Sequence, residues 1–369
     1  MIASTLILIC ILVYCILIIR WNFLLARLGS SFSSQECRVF ISIVVPFRNE
    51  ERNLPQILEC LSKQKFLEKD FEVLLVDDHS TDSSNIIVAD FISNFPNFHL
   101  LKMESPSSGK KAAIEFGIRS SKGEYILATD ADCEMGEHWL RSVANLFDAN
   151  NPDMILMPVG YLCSTWFDRI QQVDFYSLQA ASAASAMDGR PLMCNGANLA
   201  FKKDLYLDYH ASQSGMHYAS GDDMFLLLHA ASKGKSIVYN TDARSAVYTK
   251  PADGFLGFLR QRKRWVSKMK GFSDKWVSFI AILLAVANLY PIVLFILPFP
   301  NNFYLYLLIL CLRGYIEFRF IRKFSNFING EIRLLDFVLS LIFYPIYFLF
   351  LSVFAIIPTK NDWKDRERK

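Results

Sequence analysis

Between about residue 40 and residue 275 the chain alternates short apolar runs with polar stretches of helical length. Residues 41–47, 71–77, 99–103, 125–130 and 154–159 read as strands, because each is a brief run rich in apolar side chains. Residues 53–65, 83–94, 110–120 and 137–150 read as the helices between them. Strands that alternate with helices in this way pair in parallel through helical crossovers. The spacing therefore predicts an α/β fold with a mostly parallel central sheet. No internal repeat and no low-complexity segment interrupts it.

The fourth strand carries the strongest chemical signal. Tyr125-Ile126-Leu127-Ala128 runs into Thr129-Asp130-Ala131-Asp132-Cys133, so two carboxylates one residue apart stand where the strand ends. In an open α/β sheet that edge is where ligands bind. Carboxylates packed there are unfavourable unless a cation or hydrogen bonds answer them. A hard divalent ion, Mg²⁺ or Mn²⁺, shared with the phosphates of a nucleotide is the economical answer. The plainer reading is an Asp that caps the following helix. Neither a Gly-x-Gly-x-x-Gly after the first strand nor a Walker loop is present, so bound phosphates are held by metal and cations.

Composition enters through the two ends. The chain is 52% hydrophobic over 369 residues, too apolar for an ordinary soluble enzyme. Residues 2–19 carry no charge, about the length that crosses a bilayer core as a helix. A cleaved signal peptide needs a basic start and a small-residue cleavage site, and neither is seen. Arg20 and Arg27 follow the run, which places the next domain on the cytoplasmic side. Further apolar runs occupy 276–297, 303–320 and 336–357, the middle one interrupted by Arg313, Glu317 and Arg319. The reading is an integral membrane protein with one membrane element before the globular part and three after it. Four full crossings would put the tail, 359–369, opposite the domain, although it holds five basic and three acidic residues. The charged 303–320 region is accordingly expected to be re-entrant or interfacial. The domain boundaries read 1–25, 40–275, 276–358 and 359–369. A net charge of +3 gives no field for nucleic acid. Eight scattered cysteines without a C-x-x-C pair argue against a zinc site or a disulfide framework and fit a reducing compartment.

Six other stretches fall in order around the Asp-x-Asp. They are Val45-Pro46-Phe47-Arg48-Asn49-Glu50, Val76-Asp77-Asp78-His79-Ser80-Thr81-Asp82 and Gly109-Lys110-Lys111, then Cys194-Asn195-Gly196-Ala197-Asn198, Ser220-Gly221-Asp222-Asp223-Met224 and Gln261-Arg262-Lys263-Arg264-Trp265. Taken singly most are ordinary: a Pro-punctuated turn, a helix-start lysine, an Asp pair capping residues 224–232. Together they resemble the inverting nucleotide-sugar glycosyltransferases of family 2, which have the GT-A fold. The membrane-bound branch of that family includes the cellulose, chitin and hyaluronan synthases. The resemblance covers roughly residues 40 to 270, and Gln-x-x-Arg-Trp is its most specific motif.

The resemblance implies a GT-A nucleotide-sugar-binding domain with N- and C-terminal transmembrane helices. It assigns the Pro46–Glu50 loop to the nucleotide base, and Asp77 or Asp78, Asp78 by preference, to the nucleoside. Lys110 stands near the nucleotide, and Asp82 caps the next helix. Asp132, assisted by Asp130, holds Mg²⁺ or Mn²⁺. The Gly196 loop lies below the acceptor. Asp223 is the catalytic base, with Asp222 beside it as a like charge that keeps it basic. Gln261, Arg264 and Trp265 share a helical face; Arg264 meets the pyrophosphate and Trp265 supports an acceptor sugar. Arg262, Lys263, Lys268 and Lys270 serve the membrane, since 258–275 holds seven basic residues and one acidic one before an apolar run.

The expected activity is transfer of a sugar from a nucleotide-sugar donor, UDP-linked, to a hydroxyl of a lipid-linked or saccharide acceptor at the bilayer surface, with inversion. A processive polysaccharide synthase is the rival within the same class, but four membrane elements, one of them doubtful, are few for a polymer conduit. Two rivals come from outside that class, a catalytically silent membrane subunit and a transporter. Intact Asp130, Asp132, Asp223 and Trp265 stand against the silent subunit, and the absence of an inverted repeat stands against the transporter.

Overall fold

The computed structural model describes residues 2–29, 39–212, 221–268, 275–296 and 303–354. Ser220, Lys270, the side chain of Lys268 and the tail 359–369 lie outside the described residues. The chain falls into two compact units. One comprises the described residues within 27–162 and 185–250; the other comprises those within 1–26, 163–184 and 251–354. This division cuts across the 40–275 span read from the sequence.

The first unit is a mixed α/β domain with a GT-A-like central sheet. Four parallel strands open it: β1 (Ile41–Phe47), β2 (Phe71–Asp77), β3 (Phe98–Lys102) and β4 (Tyr125–Thr129). Every residue of β1, β2 and β4 is buried, as strands covered on both faces require. Between them run α2 (Leu54–Ser62), α3 (Ser84–Ile92) and α4 (Lys110–Ser120), and α5 (Trp139–Asn150) follows β4. The sheet continues through β6 (Met154–Leu156), β8 (Asn198–Lys202) and β9 (Ile237–Tyr239) in the order β3-β2-β1-β4-β8-β6-β9. Strand β8 is antiparallel to both neighbours, and β6 and β9 pair in parallel. Strand β1 lies between β2 and β4, so the order reverses there, and the loops beyond Phe47, Asp77 and Thr129 meet at that switch point.

A second, three-stranded sheet joins β5 (Glu134–Met135), β10 (Val247–Thr249) and β7 (Val159–Tyr161). The single strand expected over 154–159 is thus two strands in different sheets, separated by Met157 and Pro158. Asn198, the last residue of the stretch quoted around Gly196, opens the inner strand β8, which the sequence reading does not place. Two further helices complete the unit, α7 (Lys203–Ala211) and α8 (Asp222–Ser232).

The second unit is helical. It contains α1 (Ile2–Leu24), all but the end of α6 (Trp166–Met187), α9 (Gly254–Lys268), α10 (Lys275–Ile296), α11 (Phe303–Phe327) and α12 (Leu334–Phe354). Among the described residues, the segment Leu6–Arg27 is the one helix long and apolar enough to cross a membrane, while Lys275–Tyr290 and Leu334–Leu349 are apolar but shorter. Ile11 and Tyr290 are buried together among Ile7, Leu8, Ile309 and Leu310. The charges that interrupt 303–320 do not break the element, because α11 is one helix of 25 residues. Arg313 and Glu317 are buried and bonded to each other at 2.8 Å; Tyr14 Oη donates to Glu317 at 2.6 Å, and Arg313 donates to Ala287 O. Arg313 and Glu317 answer each other inside the helical unit, while Arg319 is exposed.

All seven described cysteines are free thiols, Cys133 buried and Cys311 exposed.

Candidate active site

The loops after β1 and β2 are stapled to each other. Asn49, held at φ +51°, donates its N–H to Ser80 Oγ (3.0 Å) and offers its Oδ1 to the Thr81 N–H (2.8 Å). Glu50 N donates to Ser84 Oγ at 2.9 Å, and Glu51 N to Asp82 Oδ2 at 3.2 Å. Asp82 also accepts from Ser84 N, the first residue of α3, at 3.0 Å, but the N-cap of that helix is Ser83 and not Asp82. Pro46 lies inside β1, level with Val76. The carboxylate of Asp77 accepts from Ser80 N at 2.9 Å and Asn85 Nδ2 at 3.0 Å.

Asp78 is fully buried. Its Oδ2 accepts the Gly109 N–H at 2.9 Å, its Oδ1 lies 3.1 Å from His79 Nδ1, and Arg48 stands 3.7 Å away. The residue expected to face the nucleoside is therefore occupied with holding the start of α4. Gly109 caps that helix at φ +101°, ψ 155°, a conformation that residues with a side chain adopt only under strain. The cap delivers two consecutive lysines. Lys110 Nζ is 2.5 Å from Asp130 Oδ1, and Lys111 Nζ is 2.7 Å from Asp222 Oδ1.

Asp132 gathers the electrostatic strain of the site. Its Oδ2 lies 3.3 Å from Thr249 Oγ1 at the end of β10. The residue as a whole is exposed. Loss of hydration, together with the charges of Asp130 and Glu50, holds it above the ordinary carboxylate range, and Lys110 pulls the other way. Glu50 also accepts from Asn53 Nδ2 at 2.7 Å. Among the described residues no group of three or more His, Cys, Asp or Glu side chains is arranged to hold a metal by itself.

Helix α8 begins with Asp222 and Asp223, and its N-cap is Gly221. The reading of the Asp pair as caps is corrected: both stand inside the first turn. Asp223 accepts from Gly196 N at 3.1 Å and from Met224 N at 2.9 Å. A Cβ at Gly196 would lie 3.4 Å from Asp223 Oδ2, an ordinary contact, so it is the backbone N–H of Gly196 that ties this loop to Asp223. Asp222 does not stand beside Asp223 as an unanswered like charge, since Lys111 neutralises it. A solvated helix-start lysine does not describe Lys111 either; the pair is 14% and 12% exposed. Nothing in the sequence short of the fold places residues 111 apart in contact.

In the helical unit, α9 departs from expectation at Arg262. Rather than serving the membrane, this residue is buried and ion-paired to Asp174 of α6 at 2.5 Å. Its guanidinium lies over the rings of Phe258 (4.7 Å) and Trp265 (4.2 Å) and donates to Gln261 Oε1 at 2.7 Å. Asp174 further accepts from Tyr344 Oη and, at 2.9 Å, from Tyr347 Oη, both on α12. Trp265 is half-buried with its ring 6.2 Å from Phe175, and Arg264 is exposed. The signal for Arg262 was present: Asp174 is a lone acid between Val173 and Phe175 in the middle of α6.

A strand-end carboxylate pair and an Asp-bearing helix start, both tied to the first turn of α4, agree with what sequence comparison finds. The model of glycosyl transferase family 2 matches residues 42–207, and that of glycosyl transferase family group 2 matches residues 125–356, more than half the chain. The chain belongs to glycosyl transferase family 2.

This glycosyltransferase is 24% identical over 226 residues to glycosyltransferase AglE of Haloferax volcanii, which covers 61% of this chain and 71% of AglE. It is 35% identical over 102 residues to dolichyl-phosphate beta-glucosyltransferase of Dictyostelium discoideum, covering 26% of this chain and 31% of that protein. A solved structure, mannosyltransferase PcManGT from Pyrobaculum calidifontis in complex with GDP-Man and Mn2+, aligns over 96% of this chain and 94% of its own, with a TM-score of 0.56 at 17% identity. That likeness is one of fold.

Proposed function

We propose that this glycosyltransferase is anchored in a membrane and moves a sugar, with inversion, from a UDP-linked donor to a hydroxyl of a lipid-linked or saccharide acceptor. The observation that carries the reading is the pair of contacts made by adjacent residues: Lys110 to Asp130 and Lys111 to Asp222. They gather the carboxylates after β4 and the start of α8 around one helix N-terminus at the sheet's switch point.

In this reading Asp223 is the general base. Its orientation is fixed by the N–H groups of Gly196 and Met224. It takes the proton of the acceptor hydroxyl. The freed oxygen attacks the anomeric carbon from the face opposite the nucleoside diphosphate, which leaves, so configuration inverts in one displacement without a covalent enzyme intermediate. Lys110 supplies positive charge where the diphosphate departs. On the likeness of the motif, Arg264 is assigned to the diphosphate, Trp265 to the acceptor sugar and Gln261 to their support. Pro46, Glu50 and Asp77 belong to the loops around the nucleoside. We assign Asp78 to positioning the Gly109–Lys110 turn.

Asp130 and Asp132 fit Mg²⁺ or Mn²⁺. Asp130 and Glu50 bring negative charge to Asp132, and Lys110 draws it the other way. Two carboxylates are also what such ions take when substrate phosphates and water supply the other ligands. Bound there, the ion would add charge stabilisation for the leaving diphosphate.

Membrane anchoring rests on Leu6–Arg27. Arg20 and Arg27 put the α/β domain on the cytoplasmic side. We read α10, α11 and α12 as further membrane helices, α11 with its Arg313–Glu317 pair turned inward. A lipid-linked acceptor fits this anchoring. The test is a panel of UDP- and GDP-linked sugars with purified protein and Mn²⁺, reading released nucleoside diphosphate, product length and anomeric configuration by NMR. Inverted product one or a few sugars long supports the reading. Retained configuration overturns the mechanism, and a ladder of long oligomers overturns the single-transfer acceptor.

A further inference from the structure

The lysine after the one that meets Asp130 has no part in the chemistry described above. Lys111 sits in the first turn of α4 with its side chain 14% exposed, and Asp222, its partner at 2.7 Å, is 12% exposed. An ion pair at that depth is screened less than a surface pair. It also joins two helix starts that are 111 residues apart. On one side, α4 is fixed by Gly109, whose N–H is held by Asp78. On the other, Asp222 is the first residue of α8 and Asp223 the second. Lys110 reaches the donor-side carboxylate while Lys111 reaches the neighbour of Asp223. Consecutive helical residues point about 100° apart, so one helical turn serves both sides. Tyr206 and Tyr209 near Asp222 are neutral phenols, pushed further from ionisation by burial and by the charge of Asp222, so they bring it no cation.

We propose that the Lys111–Asp222 ion pair is a strut that sets the position of Asp223 relative to the donor carboxylates, making Lys111 and Asp222 positioning residues for sugar transfer. This inference rests on Asp223 acting as the base. A base must stand within hydrogen-bond reach of the hydroxyl it deprotonates, and misplacement by about 1 Å lowers the rate by about a hundredfold. Lys110 meets the donor-side Asp130 while the described contact of Lys111 is to Asp222 on the other helix start, so donor affinity is separable from turnover.

The experiment uses the full-length protein in detergent, with the UDP- or GDP-sugar that the donor panel shows to be turned over. Lys111→Met and Asp222→Asn should each lower kcat about tenfold to a hundredfold. Calorimetric affinity for UDP with Mn²⁺ and the donor KM should stay within about twofold of the parent; this also reports that the variants fold. Lys111→Arg should return most of the lost kcat. The double variant should be no worse than either single one, since both remove the same interaction. Multiplicative losses in the double variant overturn the strut, and so does a kcat for Lys111→Met equal to the parent's. A parallel loss of UDP affinity reassigns Lys111 to donor binding and overturns it too. Asp223→Asn is measured alongside. If that variant still transfers sugar, the base assignment fails; if it is inactive while Lys111→Met is unimpaired, only the strut fails.

Discussion

Arg262 and Asp174 form a buried ion pair, 2.5 Å between nitrogen and oxygen and 4% and 6% exposed at their side chains. The pair fixes α9, the helix that bears Gln261, Arg264 and Trp265, to α6. Through Tyr344 and Tyr347 it reaches α12 as well. A basic cluster ahead of an apolar helix thus has two kinds of member: some face outward, and Arg262 faces in. Truncating one partner strands a buried charge, which costs about 3–5 kcal/mol. Arg262→Ala should lower the thermal midpoint in detergent by many degrees. Arg260→Ala, at an exposed position that bonds only Leu256 O among the contacts described, should change stability by less than about 0.5 kcal/mol. Equal midpoints for the two variants would return Arg262 to the membrane surface.

Gly109 holds a backbone conformation that side chains reach at about 1–3 kcal/mol. Gly109→Ala should leave the fold intact and weaken binding of UDP with Mn²⁺ severalfold, because the turn that places Lys110 opposite Asp130 must shift. Unchanged affinity by calorimetry would separate the turn from the nucleotide.

How much of this was legible in the sequence depended on which forces set each element. Strands β1 and β2 and helix α4 have the bounds read from the sequence, because runs rich in apolar residues and the Gly109–Lys110 boundary define them locally. Strand β8 was missed: Leu199-Ala200-Phe201 is too short to announce itself, and it is a strand because β4 and β6 flank it. The same division holds in the site. The carboxylates stand where a strand end or helix start puts them, so Asp130, Asp132, Asp222 and Asp223 were readable. What each carboxylate bonds was not. The Lys111 partner of Asp222 and the burial of Asp78 come from tertiary packing, and so does the inward turn of Arg262.

Lost hydration and the charges of Asp130 and Glu50 raise the Asp132 carboxyl, against the pull of Lys110, so a bound cation would favour its charged form. Asp132→Ala should abolish the gain in UDP affinity that Mn²⁺ gives, and EDTA should do the same to the parent protein. An Mn²⁺-dependent gain of equal size in the variant would exclude Asp132 as a ligand.

Trp265 packs near Phe175 and under Arg262, so its replacement tests two roles at once. Trp265→Phe keeps an aromatic ring in the packing and shrinks the platform. It should raise the acceptor KM more than it changes donor hydrolysis without acceptor. Equal change in both rates would remove Trp265 from acceptor binding.

The account turns on Asp223 as the base. Its most direct test is Asp223→Asn, which keeps the size of the side chain and one hydrogen-bond acceptor for Gly196 N. Transfer from labelled nucleotide sugar should fall by about two to four orders of magnitude, while calorimetric affinity for UDP with Mn²⁺ stays that of the parent. Transfer within a few fold of the parent would contradict the mechanism, and loss of UDP binding would move Asp223 to the donor site.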